Sequence, residues 1–238
     1  MFASTVQPPA ASLFSSVGSD PLRLFATSTD PTLPSDSIIH LLNDQISLPH
    51  PTGSDVQLIA LPEVPDDEKL NQQSSLSCTV LHIQSPTIKT TYIRCPSDLG
   101  KSLGLTHPWF HMQFRDLGKE FSFEIGMTDT AGKDAVLRCS TFQDEPRVEH
   151  LNPALLHVPL DITPPNSSTP WRTLFINLPT ILPYFSTASG QEYHPAFGRY
   201  AGVTYLKVYA NCRLRRVWLT KTPDSGVGAR NWEFGMYT

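Results

Sequence analysis

Length, composition and charge place this chain among folded proteins and narrow its class. Its 238 residues can form one large β domain or two small ones, and 39% hydrophobic residues with 10% aromatics can fill a core, which argues against global disorder. The formal net charge is −4 and the isoelectric point is about 6.0. A general nucleic-acid binder is usually strongly basic, so the composition argues against that class.

Cysteine usage and the N-terminal region point to a reducing compartment. The four cysteines lie far apart without a CxxC spacing, so a metal site or a thioredoxin-type motif has no support. We expect reduced thiols in a cytosolic or nuclear protein. No Lys or Arg precedes Arg23, so the positive region of a secretory signal is lacking, and no run approaches the roughly 18 apolar residues of a membrane span. We therefore expect no membrane contact.

Residues 27–75 differ in amino-acid composition from the rest of the chain. Six prolines interrupt this stretch, and proline removes backbone donors and ends helices. Structureless loops this long are uncommon inside compact domains. The stretch is predicted to be a Pro-rich insertion or loop, with a short helix at 37–43 and an extended piece at 56–61.

From residue 77 onward the chain reads as many short strands separated by turns. Period-2 alternation is clearest over 121–127, where the odd positions share an apolar face. The pattern predicts a mainly all-β fold, an antiparallel β-sandwich or jelly roll forming one domain over 1–238. The predicted strands are 78–83, 90–94, 109–115, 121–127, 135–142, 156–162, 171–178, 202–209 and 213–219.

Loops and a tail complete the predicted organisation. The segments 152–170 and 187–198 are rich in proline or glycine and are predicted to be expanded loops. A short helix can begin near Pro179, because proline is tolerated in a first turn. Residues 223–238 are predicted to be a C-terminal tail.

A basic strand stands out near the C-terminus. No Asp or Glu occurs from Tyr193 to Pro223, while the stretch carries six cations. A local positive patch on an acidic chain can attract an acidic partner, although basic side chains also protect strand edges from unwanted pairing. The candidate partner-binding residues are Arg199, Lys207, Arg213, Arg215, Arg216 and Lys221.

Strict alternation in this strand would turn Arg216 inward, and burying an unpaired guanidinium is costly. We therefore predict that the inward phase switches after Leu214, through a bulge or turn near Asn211. At least two of the three arginines at 213, 215 and 216 are expected to be exposed or paired with an acid.

Catalytic motifs are not found in the sequence. There is no GxSxG, GxxxxGK[ST] or HExxH, and no cofactor is expected. His107 and His111 would lie about 13 Å apart in a strand, too far for one metal ion. Glu124 is the single acid set inside an apolar strand, and no second acid obviously faces it, as a glycosidase would need. The tryptophans, Trp171 above all, are expected to pack in the core or at its rim rather than form a sugar platform.

Several ordered segments resemble one known family. They are 16–22 (SVGSDPL), 90–96 (TTYIRCP), 101–105 (KSLGL), 121–124 (FSFE), 140–143 (STFQ), 171–178 (WRTLFINL) and 210–216 (ANCRLRR). Together they resemble the cilia- and flagella-associated protein 20 family, over residues 1 to about 25 and most of 77–222.

The resemblance implies a β-sandwich and a non-enzymatic, structural role in the cilium or flagellum. It implies binding to tubulin and neighbouring proteins at the inner junction of doublet microtubules, with the six cations above as candidate contacts, and a location in the axoneme, the basal body or the nucleus. This chain is more acidic and has longer loops than the family. Two alternatives therefore stay open: a soluble or nuclear interaction module whose inserted loops select the partner, and a carbohydrate-binding sandwich.

Overall fold

Thirteen β-strands build the part of the chain that the computed structural model describes, residues 6–47, 78–162, 169–187 and 197–223. The strands in chain order are β1 Ala10–Ser15, β2 Ala26–Ser28, β3 Ile38–Asn43, β4 Thr79–Gln84, β5 Tyr92–Cys95, β6 Trp109–Asp116, β7 Ser122–Asp129, β8 Asp134–Ser140, β9 Arg147–Glu149, β10 Ala154–Pro159, β11 Arg172–Asn177, β12 Tyr200–Tyr209 and β13 Cys212–Thr220. A 3₁₀ turn, Leu178–Thr180, and one helical turn, α1 Tyr184–Thr187, follow β11. The all-β class is confirmed.

The strands form two sheets. Sheet A has the order β11-β6-β13-β4-β3, with β1 also paired to β13, and sheet B has the order β2-β5-β12-β7-β8-β10-β9. Each prediction from residue 77 onward overlaps a strand of these sheets, and the pairings are antiparallel except for β8 with β10. That parallel pair makes sheet B mixed. The connection from β8 to β10 contains β9, which pairs antiparallel with β10.

The hydrophobic core lies between the inner faces of the two sheets. Alternate residues of each strand supply it, because side chains point to opposite faces along a strand. Sheet A contributes side chains such as Phe110, Met112 and Phe114, and sheet B contributes Phe123 and Ile125; all five are fully or almost fully buried. This pattern leaves the intervening residues of the same strands on two outer faces.

The chain passes from sheet B to sheet A between β12 and β13, through Ala210 and Asn211. The Asn211 amide fixes this passage, since its Nδ2 donates to the Glu120 carbonyl and its Oδ1 accepts from the Ser85 backbone N–H. The predicted switch of the inward phase after Leu214 is confirmed. It takes place at Arg215, where the pairing of β13 with β6 shifts register, and not at Asn211.

The prediction for residues 27–75 needs a correction. Residues 38–43 form strand β3 and not a helix, and they pair along their whole length with β4. The apolar residues at 38, 39, 41 and 42 fit a helical period as well as a strand, and pairing with β4 decides between them. The predicted extended piece at 56–61 lies outside the described residues, as do most of the predicted loop 187–198 and nearly all of the predicted tail.

The predicted loop 152–170 is shorter in the structure, because part of it forms a strand. Strand β10 occupies the first half of this predicted loop, because this stretch pairs with β8 and buries Leu155 and Leu156. The predicted short helical segment after β11 is confirmed, and it begins with Pro179 in its first turn.

Candidate partner-binding faces

Arg213 is part of a buried ionic network on the outer face of sheet A. Its Nη1 donates to the Asp44 carboxylate at 2.6 Å and to the Asp44 carbonyl at 2.7 Å. Arg115 approaches the same carboxylate at 3.6 Å, and Trp171 donates its indole N–H to the other oxygen at 2.8 Å. The Asp44 side chain is fully buried. One carboxylate therefore ties β13, β6 and the start of β11 to the residue that follows β3.

Arg215 and Arg216 are also held within the molecule. Arg215 donates to the Gln113 side chain at 3.2 Å, and Arg216 donates to the Ser15 hydroxyl at 3.5 Å. The exposed fraction of Arg213, Arg215 and Arg216 is 9%, 7% and 8%. Of the two predicted outcomes, exposure is therefore wrong for all three arginines, and pairing with an acid is confirmed for Arg213. The sequence indicated that a buried arginine here needs an acid, but that acid, Asp44, lies 169 residues from Arg213.

The other three predicted cations lie apart from that network. Arg199 directly precedes β12 and Lys221 directly follows β13; both are exposed, and the Lys221 ammonium donates to the Gln7 carbonyl. Lys207 lies near the C-terminal end of β12, on the outer face of sheet B. The structure thus does not bring the six predicted residues together into one patch. Whether any of them contacts a partner stays a prediction.

Lys207 belongs to a straight row of charged side chains across sheet B. Strand register places Arg94, Lys207, Glu124 and Arg138 directly opposite one another on β5, β12, β7 and β8. Neighbouring strands lie about 4.8 Å apart, so these four positions span about 14 Å. The row continues through His157 to Arg147, and there Glu149 lies 3.4 Å from the His157 ring.

Glu124 is the buried centre of this row. Arg138 donates to its Oε1 through Nε at 2.8 Å and through Nη2 at 2.5 Å, while the hydroxyls of Tyr209 and Tyr205 donate to Oε1 and Oε2. Burial and the adjacent Glu124 charge raise the pKa of both tyrosines. Burial disfavours charge on Arg138, yet hydrogen bonds and attraction from Glu124 raise its pKa above the usual value. Glu124 therefore neutralises Arg138 and fixes two tyrosine rings.

Two cations, Lys207 and Arg94, lie over tyrosine rings on this face. The Lys207 ammonium is 3.7 Å from the Tyr92 ring centre and 4.4 Å from that of Tyr209, and the Arg94 guanidinium is 5.1 Å from the Tyr205 ring centre. These are cation–π distances. We name the group formed by Tyr92, Arg94, Glu124, Arg138, Tyr205, Lys207 and Tyr209 the tyrosine–cation face.

A glycine makes room for one of the rings. A Cβ atom built on Gly126 would lie 2.2 Å from the Tyr205 ring, so the ring lies directly on the glycine backbone. Register places Tyr205 opposite Gly126. The alternation in 121–127 predicted the outward phase of Glu124, but the ring over Gly126 depends on a strand about 80 residues later in the chain. Sequence reasoning found Lys207 and missed Tyr92, Arg94, Arg138, Tyr205 and Tyr209.

The histidines and tryptophans singled out in the sequence have structural surroundings. The described residues contain no group of three or more His, Cys, Asp or Glu side chains placed to hold a metal ion. His107 Nε2 lies 2.7 Å from the Pro8 carbonyl oxygen and His111 Nε2 lies 2.8 Å from the Thr220 hydroxyl, so both rings have structural contacts. The buried Trp218 stacks on His111. Within the described ranges, no helix is long and apolar enough to cross a bilayer.

Fold and surface together define a β-sandwich protein with a cationic, tyrosine-lined face. The CFA20 domain matches residues 68–223, and the chain therefore belongs to the CFA20 domain family. It is 28% identical over 148 residues to cilia- and flagella-associated protein 20 of Chlamydomonas reinhardtii, which covers 62% of this chain and 68% of that protein. The proteins of the same name from Caenorhabditis elegans and Caenorhabditis briggsae are each 26% identical over 218 residues, 92% of this chain and 82% of theirs.

Proposed function

We propose that this chain is a non-enzymatic, structural microtubule-associated protein of the ciliary or flagellar axoneme. In this role it binds tubulin and neighbouring proteins, at the inner junction of the doublet or at the basal body. Family membership supports the proposal, because the relatives that match over most of the chain are cilia- and flagella-associated proteins. A sandwich fold alone would not, since one fold supports many functions.

The observation that carries the proposal is the charge on the tyrosine–cation face. Arg94, Lys207 and Arg138 supply three positive charges there, and Glu124 supplies one negative charge. The chain as a whole is acidic, so this local excess is not a by-product of its composition. Tubulin is strongly acidic, and complementary potentials speed association and fix orientation.

Co-sedimentation of the purified full-length chain with stabilised microtubules tests the proposal. We expect the chain to pellet with microtubules at low salt and to be released as salt is raised, because exposed charges are screened. Fractionation of native cells gives the second readout, in which retention with detergent-extracted axonemes is expected. A chain that stays in the supernatant at low salt and leaves with the soluble fraction of cells would contradict the proposal.

A further inference from the structure

We propose that the tyrosine–cation face binds an extended acidic peptide segment, with a carboxylate of that segment seated between Arg94 and Lys207. This inference deepens the proposed function and rests on it for its cellular setting, since a partner's acidic segment is what the face would recognise. Its chemistry can be tested on the isolated chain.

The first argument comes from strand register. Arg94 and Lys207 are direct partners in the β5–β12 ladder, so their Cβ atoms are about 5 Å apart. Like charges directly opposite each other destabilise a sheet. Among the described residues, no carboxylate lies within 4 Å of either cation, whereas Arg138 has Glu124. An incoming carboxylate would relieve this repulsion.

The second argument comes from solvation. Lys207 is half-buried against two tyrosine rings, and burial lowers its pKa despite the attraction of Glu124. A cation that has lost water and has no carboxylate in direct contact binds an anion more strongly than a fully hydrated surface lysine does. Arg94 is held by the Tyr205 ring and by the Pro96 carbonyl, so its position is fixed before any partner arrives.

The third argument concerns the shape of the occupant. The row runs straight across four strands, and beyond Arg138 the negative Glu149 lies beside both His157 and Arg147 and offsets the positive charge there. An extended segment of about four residues covers the resulting span of about 14 Å. Such a segment would lie across the strands and place its other acidic side chains near Arg138.

A single-stranded nucleic acid is the competing occupant, because it also combines negative charge with contacts to aromatic rings. Base stacking needs open ring faces. Here Lys207 covers faces of Tyr92 and Tyr209, Arg94 covers a face of Tyr205, and Gly126 backs the Tyr205 ring. The rings are engaged by the protein's own cations, which favours a carboxylate-bearing peptide.

Fluorescence anisotropy with a labelled peptide of about ten glutamates tests the proposal. We expect the intact chain to bind the peptide at low salt, and Arg94→Gln/Lys207→Gln to weaken binding by about tenfold or more. The matched control Arg199→Gln/Lys221→Gln removes the same two charges elsewhere and should change the affinity by less than about twofold. Arg94→Lys/Lys207→Arg keeps the charges and should retain most of the binding. Thermal melts of every variant show whether each is folded.

Four outcomes overturn the inference. They are no peptide binding by the intact folded chain, equal loss in the two double glutamine variants, loss in Arg94→Lys/Lys207→Arg as large as in the glutamine pair, or tighter binding of a labelled oligouridine with the same dependence on Arg94 and Lys207. If the chain pellets with microtubules yet ignores the peptide, the proposed function stands and this inference fails. If it binds the peptide but not microtubules, the face binds acidic segments and the proposed partner is wrong.

Discussion

The outer faces of the two sheets both carry cations in register, but the partners of those cations differ. On sheet A, His40, His82, Arg213 and Arg115 are consecutive partners across β3, β4, β13 and β6, and Asp44 binds the two arginines. On sheet B, the cations Arg94 and Lys207 lie over tyrosine rings instead. The first arrangement uses charge to hold the fold, and the second is the one that we propose binds a partner. The position of a carboxylate, and not the density of arginine in the sequence, makes the difference.

Replacing Asp44 with alanine should have the largest effect on stability. The change leaves Arg213 buried without its carboxylate and removes the acceptor of the Trp171 indole. Breaking a buried pair by removing one partner costs about 3–5 kcal/mol. Denaturant unfolding of Asp44→Ala measures this loss. The matched control is Asp98→Ala, which breaks an exposed pair with Lys101 and should cost far less, because exposed ion pairs add little to stability. Equal losses in the two variants would show that the Asp44 network does not hold the fold.

Replacing Glu124 with glutamine should separate stability from binding on sheet B. The amide keeps an acceptor for the tyrosine hydroxyls but loses the charge that pairs with Arg138, so we expect a loss of about 1–2 kcal/mol of unfolding free energy. The positive charge of Arg138 is then no longer neutralised, and the affinity for the glutamate peptide should rise a few-fold. Unfolding and anisotropy measurements on one protein sample give both values. Weaker peptide binding by the folded variant would show that Glu124 positions the site more than it neutralises it.

Acid should weaken sheet A through its buried histidines. Burial lowers the pKa of His111 to about 4, and burial together with Arg213 lowers that of His82. Above the unfolded-state pKa of about 6.5 both states are neutral, so stability falls as pH drops from about 6.5 towards 4, where the unfolded chain binds more protons. Between pH 8 and pH 5, His111→Gln should lose about 1 kcal/mol less stability than the natural chain, with solvent screening included.

Peptide binding by sheet B should differ from the stability of the chain in its pH dependence. Glutamate-peptide binding should be constant between pH 8 and pH 6, where the glutamate carboxylates stay ionised, while stability begins to fall. An unchanged pH dependence of unfolding in His111→Gln would show that this ring does not limit stability in acid.

Local pattern was enough to predict the sandwich but not the role of each charge. Alternation and turn residues predicted nine strands, because those signals lie within about ten residues of each other. They missed β1, β2 and β9 and gave a helix for β3, since these strands are defined by their pairing partners. Arg213 and its partner Asp44 are 169 residues apart, and the Tyr92 ring beneath Lys207 comes from a different strand. Charge patterning within one segment cannot show which acid or ring a cation will meet.

Lysine footprinting during binding tests the central contrast most directly. The intact chain would be acetylated with and without stabilised microtubules, and modification of Lys207 and Lys221 would be compared by mass spectrometry. Our account predicts that microtubules protect Lys207, which lies in the tyrosine–cation face, and leave the exposed Lys221 reactive. Protection of Lys221 with Lys207 unchanged would contradict it and would move the binding surface away from the outer face of sheet B.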